Sequence, residues 1–149
     1  MKINIFIRKK ISNNQHSVER YAKILKQGLE SKNFKINIIE CPYASKGLFK
    51  RLYLILWAYF NQGNVNHILG DINFISLLMK KEKTINTFLD CRLLDEFKGL
   101  KRTAYKFLWF SLPIKNSIIN TFISSFTKKE IEKKLDKKII NSYVIPVPL

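Results

Sequence analysis

The sequence predicts an α/β fold: a doubly wound parallel sheet with helices on both faces. Two observations lead there. Short runs with period-two alternation, rich in Ile, Val and Thr, take turns with longer runs of helical period, five times over, and a last strand-like run closes the series. At 149 residues and 46% hydrophobic content, the chain is one domain's worth with enough apolar surface for a core. Strands that alternate with helices pair in parallel, and the order expected from this pattern is 3-2-1-4-5-6.

The elements run in this order. Ile3, Ile5 and Ile7 alternate along a first strand, Lys2–Ile7. Val18, Tyr21, Ala22, Leu25 and Leu29 then fall on one stripe of an amphipathic helix, with Ser17 as its N-cap and Glu19, Arg20, Lys23, Lys26 and Glu30 toward water. Lys35–Glu40 is a second strand, stopped by Pro42. Leu48–Phe60 is a helix apolar nearly all round, so it should be buried or touch something apolar, with Gly63 as a C-terminal stop. Val65–Ile68 is a third strand, Ile72–Lys81 a helix, and Thr84–Leu89 a fourth strand. A helix over Lys101–Leu112 ends near Pro113, and Ile118–Ile123 is the fifth strand. Thr127 and Glu130 form a capping box that opens a helix through Leu135, and Ile140–Ile145 closes the sheet.

Composition narrows the function classes. The net charge of +16 points to a polyanionic partner: nucleic acid, an anionic membrane or a phosphorylated ligand. Yet 22 of the 27 basic residues are Lys, and they spread along the whole chain rather than gathering. Lys, Ile and Asn, whose codons are AT-rich, make up 56 of the 149 residues, so base composition accounts for much of the excess. Nucleic acid is therefore not the expected partner. The uncharged run Leu52–Phe60 is far shorter than the roughly 20 residues a membrane span needs. No signal-peptide pattern opens the chain, and a cytoplasmic location is expected. The two cysteines, Cys41 and Cys91, make neither a disulfide framework nor a zinc site.

The catalytic motifs that can be named are missing. None of the five glycines lies in the first strand-to-helix loop, which removes both the dinucleotide fingerprint and the phosphate-cradling loop. GxSxG and HExxH do not occur, and His16 and His67 lack ligand-spaced partners, so neither a metal nor a cofactor is expected. What remains is the rule that open α/β sheets bind ligands outside the carboxyl ends of their strands, near the switch in strand order. Three strand ends carry polar groups a core does not need: Asn13 to Ser17, Asn66 to Asp71, and Thr87 to Cys91. For each residue there is a plainer role, such as Asp71 capping a helix or His67 bonding to a backbone carbonyl. Three such ends at one edge point to a cleft.

In order and spacing, several segments resemble the N-terminal domain of GT-B glycosyltransferases of the family 4 (glycosyl transferases group 1) type. Ser17-Val-Glu-Arg20 resembles the family's SIER-like helix start, and Asn66-His-Ile-Leu-Gly-Asp71 its NHITGD-like segment. Thr87-Phe-Leu-Asp-Cys91 stands where the family has T-x-H-D-C. Gly99-Leu-Lys-Arg102 with Leu112-Pro-Ile-Lys115 resembles the next helix of the family. Thr121-Phe-Ile-Ser124 with Thr127-Lys128 resembles T-x-I-S-E-x-T-K, and Val144-Ile-Pro146 the closing VIPN.

The resemblance covers residues 1–149 and implies a Rossmann-like, acceptor-side domain. Family members carry a second domain, the nucleotide-sugar half with its E-x7-E donor motif, which is expected to be absent here. The implied activity is transfer of a sugar from a nucleotide-sugar to a surface-polysaccharide or lipid-linked acceptor. The chain alone should then be inactive, because both reactants must be held in one cleft. The strand ends and the resemblance together nominate Asp90 as catalytic and Asn13, His16, Ser17, Glu19, His67, Asp71, Thr87 and Ser124 as substrate-binding. Two departures stand out: Leu89 replaces the family's His, and Ser125 its Glu. The implied partners are a separately encoded donor domain, the acceptor, and an anionic membrane on the cytoplasmic face. For the last, Lys46, Lys50 and Arg51 beside the run Leu52–Phe60, and Lys101 and Arg102 beside Tyr105–Leu112, would form an interfacial anchor with Trp57 and Trp109. Two alternatives remain open: a non-catalytic basic module for membrane or nucleic acid, and an inert remnant.

Overall fold

The computed structural model describes residues 1–10 and 17–147. Its six strands form one all-parallel sheet: β1 (Lys2–Ile7), β2 (Lys35–Glu40), β3 (Val65–Leu69), β4 (Thr84–Phe88), β5 (Ile119–Phe122) and β6 (Ser142–Val144). Helices cover both faces, as in Rossmann-like doubly wound folds. The strand order is 2-1-3-4-5-6 and not the expected 3-2-1-4-5-6. β2 carries Lys35 and Glu40 at its exposed ends and three half-buried residues between them, which suits a sheet edge, whereas β3 buries Asn66, Ile68 and Leu69 and takes the interior place beside β1. The chain therefore returns from β2 over β1, and the order reverses between β1 and β3.

Period-two alternation sorts the core into two layers. Phe6, Ile68, Phe88 and Phe122 point to one face, with Phe88 stacked on Phe122 at 5.5 Å between ring centres. Helices α2 (Leu48–Phe60) and α6 (Ser125–Leu135) cover that face through Leu54, Ala58 and Ile131. Ile3, Ile5, Ile7, Ile36 and Leu69 point to the other face, where α1 (Ser17–Glu30) lays down Val18, Tyr21 and Ala22. Gly63 lies where a Cβ would meet the Asn4 side chain and the Lys2 carbonyl at 3.1 Å; α2 itself ends earlier, at Asn61.

Three connections differ from expectation. The β3–β4 link is a 3₁₀ helix, Asn73–Leu78, with a second 3₁₀ turn at Lys81–Lys83, in place of an α-helix. A buried network accounts for this: Asn86 Nδ2 donates to Ser117 Oγ at 2.6 Å and to the Pro113 carbonyl at 3.2 Å, while Asn73 Nδ2 donates to Asn86 Oδ1 at 3.2 Å. These bonds draw the short link down onto β4. After β4 come a short α3 (Leu93–Glu96) and α4 (Gly99–Lys106). A π-helical segment, Phe107–Ser111, leads on to α5 (Leu112–Lys115). The helical path thus runs through Pro113 at the head of α5; its ring nitrogen has no N–H to give the preceding π-helical turn. Finally, α6 is capped by Ser124 and not by Thr127: Ser124 Oγ accepts from the Thr127 amide at 3.0 Å. Among the described residues, no helix is long and apolar enough to cross a membrane.

Candidate functional site

The reversal of strand order opens a crevice between the carboxyl ends of β1 and β3, where doubly wound sheets accept ligands. A cleft of about 500 Å³ lies there. Its walls come from the ends of three neighbouring strands and from the helices next in the chain. Arg8 leaves β1, Ser17 opens α1, Gly70 and Asp71 leave β3, and Leu89 and Asp90 leave β4. Gly70 makes its turn at a φ of +92°, left-handed backbone that favours glycine. The turn aims Asp71 into the cleft, and Asp71 caps no helix.

The charges alternate. Asp71 Oδ1 faces Arg8 Nη1 at 3.8 Å, and Asp90 Oδ2 accepts from Arg92 Nη2 at 3.1 Å. Asp71 and Asp90 keep half of their side chains open to solvent, so they can bond to a ligand, and pairs this exposed add little to stability. Tyr105 and Trp109, stacked at 4.7 Å between ring centres, line the same cleft. The Trp109 indole N–H donates to the Asp71 carbonyl at 2.8 Å, which pins the β3 turn to the helical wall. Burial, and after it the carboxylates of Asp71 and Asp90, raise the Tyr105 phenol above its ordinary pKa, so it remains a hydroxyl donor.

Of the residues nominated from sequence, Ser17, Asp71 and Asp90 are brought together in the cleft. Leu89, the departure from the family pattern, lines it as well. Asn13 and His16 lie outside the described residues. His67, Thr87 and Ser124 lie elsewhere. His67 belongs to the α1 face of the sheet, where its Nε2 meets Thr87 Oγ1 at 2.7 Å, and Thr87 Oγ1 meets Thr121 Oγ1 at 2.6 Å. Burial lowers the His67 pKa from 6.5 to about 4, so at neutral pH it is an uncharged sheet residue. Ser124 is occupied by its capping bond. Glu19 sits in the first turn of α1, and its carboxylate oxygens, both covered, find no hydrogen-bond partner among the described residues.

The lining residues that the sequence reading did not nominate include Arg8, Arg92, Glu96, Tyr105 and Trp109. Arg8 and Arg92 had a readable signal, because each stands just past a strand end already picked out. Tyr105 and Trp109 had none, because their approach depends on the π-helical turn. Among the described residues, no three His, Cys, Asp or Glu side chains gather as metal ligands do. No family model matches the chain, and no curated protein matches it.

A cleft that gathers carboxylates, guanidinium groups and the half-buried Tyr105 can hold a polyhydroxylated ring. The carboxylates accept from hydroxyls, the arginines donate to ring and glycosidic oxygens, and the Tyr105 hydroxyl donates to a further oxygen. A second, smaller groove of about 220 Å³ shares Asp71, Leu93, Tyr105 and Trp109 with the cleft and runs on between Arg51 and Leu108.

Proposed function

We propose that the chain is the acceptor-side half of a glycosyltransferase, whose cleft holds the sugar of a surface-polysaccharide or lipid-linked acceptor. The observation that carries this reading is the gathering of Asp71, Asp90, Arg8, Arg92 and Tyr105 in one cleft at the reversal of strand order. It agrees with the motif resemblance in the same segments. In this reading Asp90 accepts the proton of the acceptor hydroxyl as that oxygen attacks the anomeric carbon and the nucleoside diphosphate departs. Arg92 orients Asp90. In this reading the nucleotide-sugar is held by a second Rossmann-like unit, and turnover needs both units around one cleft.

The test is an NMR titration of the chain with mono- and disaccharides. The expected result is saturable shifts confined to the amides around Asp71, Asp90 and Tyr105, with affinity weakened at least about fivefold in Asp90→Asn, the size of one lost charge-assisted hydrogen bond. Shifts scattered over the surface, or unchanged in Asp90→Asn, refute the reading. With a donor unit supplied in trans, Leu89→His should raise transfer, since it returns a hydrogen-bonding group to the cleft wall.

A further inference from the structure

Helix α2 is apolar on two opposite sides, and only one of them is used. Leu54 and Ala58 are fully buried against the sheet. On the opposite side Phe49, Leu52, Leu56 and Phe60 recur at helical spacing, with Phe49 86% and Phe60 79% exposed. Helix α4 and the π turn after it repeat the pattern: Leu100 is 90% and Phe107 52% exposed, and α4 buries no residue at all. The small groove separates the start of α2 from α4: Ser45 and Arg51 line one side, and Lys101, Ala104 and Leu108 the other. So large an apolar surface is unusual on a folded chain and marks a place of contact.

Its charge says what kind of contact. No Asp or Glu stands between Glu40 and Asp71, nor between Glu96 and Glu130, and both helices fall within these acid-free stretches. Lys46, Lys50, Lys98, Lys101 and Arg102 are exposed around the apolar stripes, and none is ion-paired among the described residues. A second copy of the chain is a poor occupant: a two-fold contact would set this cationic face against itself. Apolar side chains that insert, ringed by cations that meet headgroup phosphates, suit an anionic bilayer.

We propose that the outer face of α2 docks the chain onto an anionic lipid bilayer. The tryptophans expected as anchors take no part. Trp109 is buried in the cleft wall, and Trp57 turns inward, edge-on to Phe6 at 5.8 Å. Phe49, Leu56 and Phe60 insert in their place.

Vesicle flotation of the chain tests the proposal. With about 30 mol% phosphatidylglycerol in phosphatidylcholine at about 0.1 M salt, the chain should float; raising salt to about 0.5 M, which shortens the screening length, or removing the anionic lipid should cut binding at least about fivefold. Leu56→Ser with Phe60→Ser, both at exposed positions, should weaken binding at least about tenfold with an unchanged circular dichroism spectrum. Leu56→Trp should give a blue-shifted emission with the anionic vesicles alone. Absence of flotation, equal flotation on neutral lipid, or a lipid-free dimer that Leu56→Ser dissolves would each overturn the proposal. A chain that floats as stated but shows no saccharide shift at Asp90 keeps the docking surface and loses the acceptor reading.

Discussion

Helices α1 and α2 lie on opposite faces of one sheet and are built on opposite plans. In α1 the apolar positions Val18, Tyr21 and Ala22 go inward, and Arg20, Lys23, Lys26 and Glu30 remain in water. In α2 both sides are apolar, and the sheet takes the side that holds Ala58 and Leu54, where a small side chain lets the helix approach closely. Polar residues on one side tell which way a helix faces. Where both sides are apolar, the choice falls to size and shape, and the unused side points to a partner other than water.

The sharpest way to break this contrast is to truncate the two sides of α2 in turn. Leu54→Ala should destabilise the chain by about 2–5 kcal/mol through the cavity it leaves. Leu56→Ala, two residues on, should change stability by no more than about 0.5 kcal/mol. Urea denaturation of both variants gives the answer, and comparable losses would mean that α2 has no free side.

The two faces of the sheet should also fail at opposite ends of the pH scale. On the α1 side, His67 is held below its unfolded pKa of 6.5, at about 4, so between these values the unfolded chain binds more protons. Stability should therefore fall by up to about 3 kcal/mol as pH drops through that window. His67→Gln should flatten the slope in urea midpoints measured from pH 7 to pH 4. On the α2 side, burial pushes the Cys41 thiol from 9.0 up to about 12, with the carboxylates of Asp71 and Glu40 adding to it. The unfolded chain loses that proton first, so the stability this group supplies falls as pH rises above 9.0. Cys41→Ala should lessen the alkaline slope in the same measurement.

The smallest effect concerns a helix end. Ser124→Ala removes the bond to the Thr127 amide and should cost about 1 kcal/mol, while Thr127→Val, which keeps that amide, should cost less. The reverse ranking would restore Thr127 as the cap.

Most of the fold was legible in the sequence because its signals are local. Ile3, Ile5 and Ile7 announce a strand, and the stripe from Val18 to Leu29 announces α1, at the boundaries the structure adopts to within a residue. Strand order was not legible, because it depends on how β2 and β3 compete for the place beside β1, and no local pattern encodes that. The Ser124 cap was misread for a related reason: Thr127 and Glu130 also have capping-box spacing, and only the folded backbone chooses between overlapping candidates. For the site, the strand-end rule located Asp71 and Asp90. It also picked out His67 and Thr87, whose side chains point across the sheet face and not off its edge. One residue along a strand decides between those two directions.

The π turn at Phe107–Ser111 holds one residue more than an α-helical turn needs. In helical terms it is a phase offset of about 100° between α4 on one side of it and α5 on the other. On the α5 side, Pro113 stays locked to Asn86 and Ser117, so the offset appears in the direction that α4 faces. Loss of a single residue from this turn would rotate Leu100 and Lys101 through about a quarter of a circle, and would swing Tyr105 off Trp109 with them. A one-codon insertion or deletion is thus enough to re-aim the outward face of α4, at the expense of the Tyr105–Trp109 contact in the cleft wall.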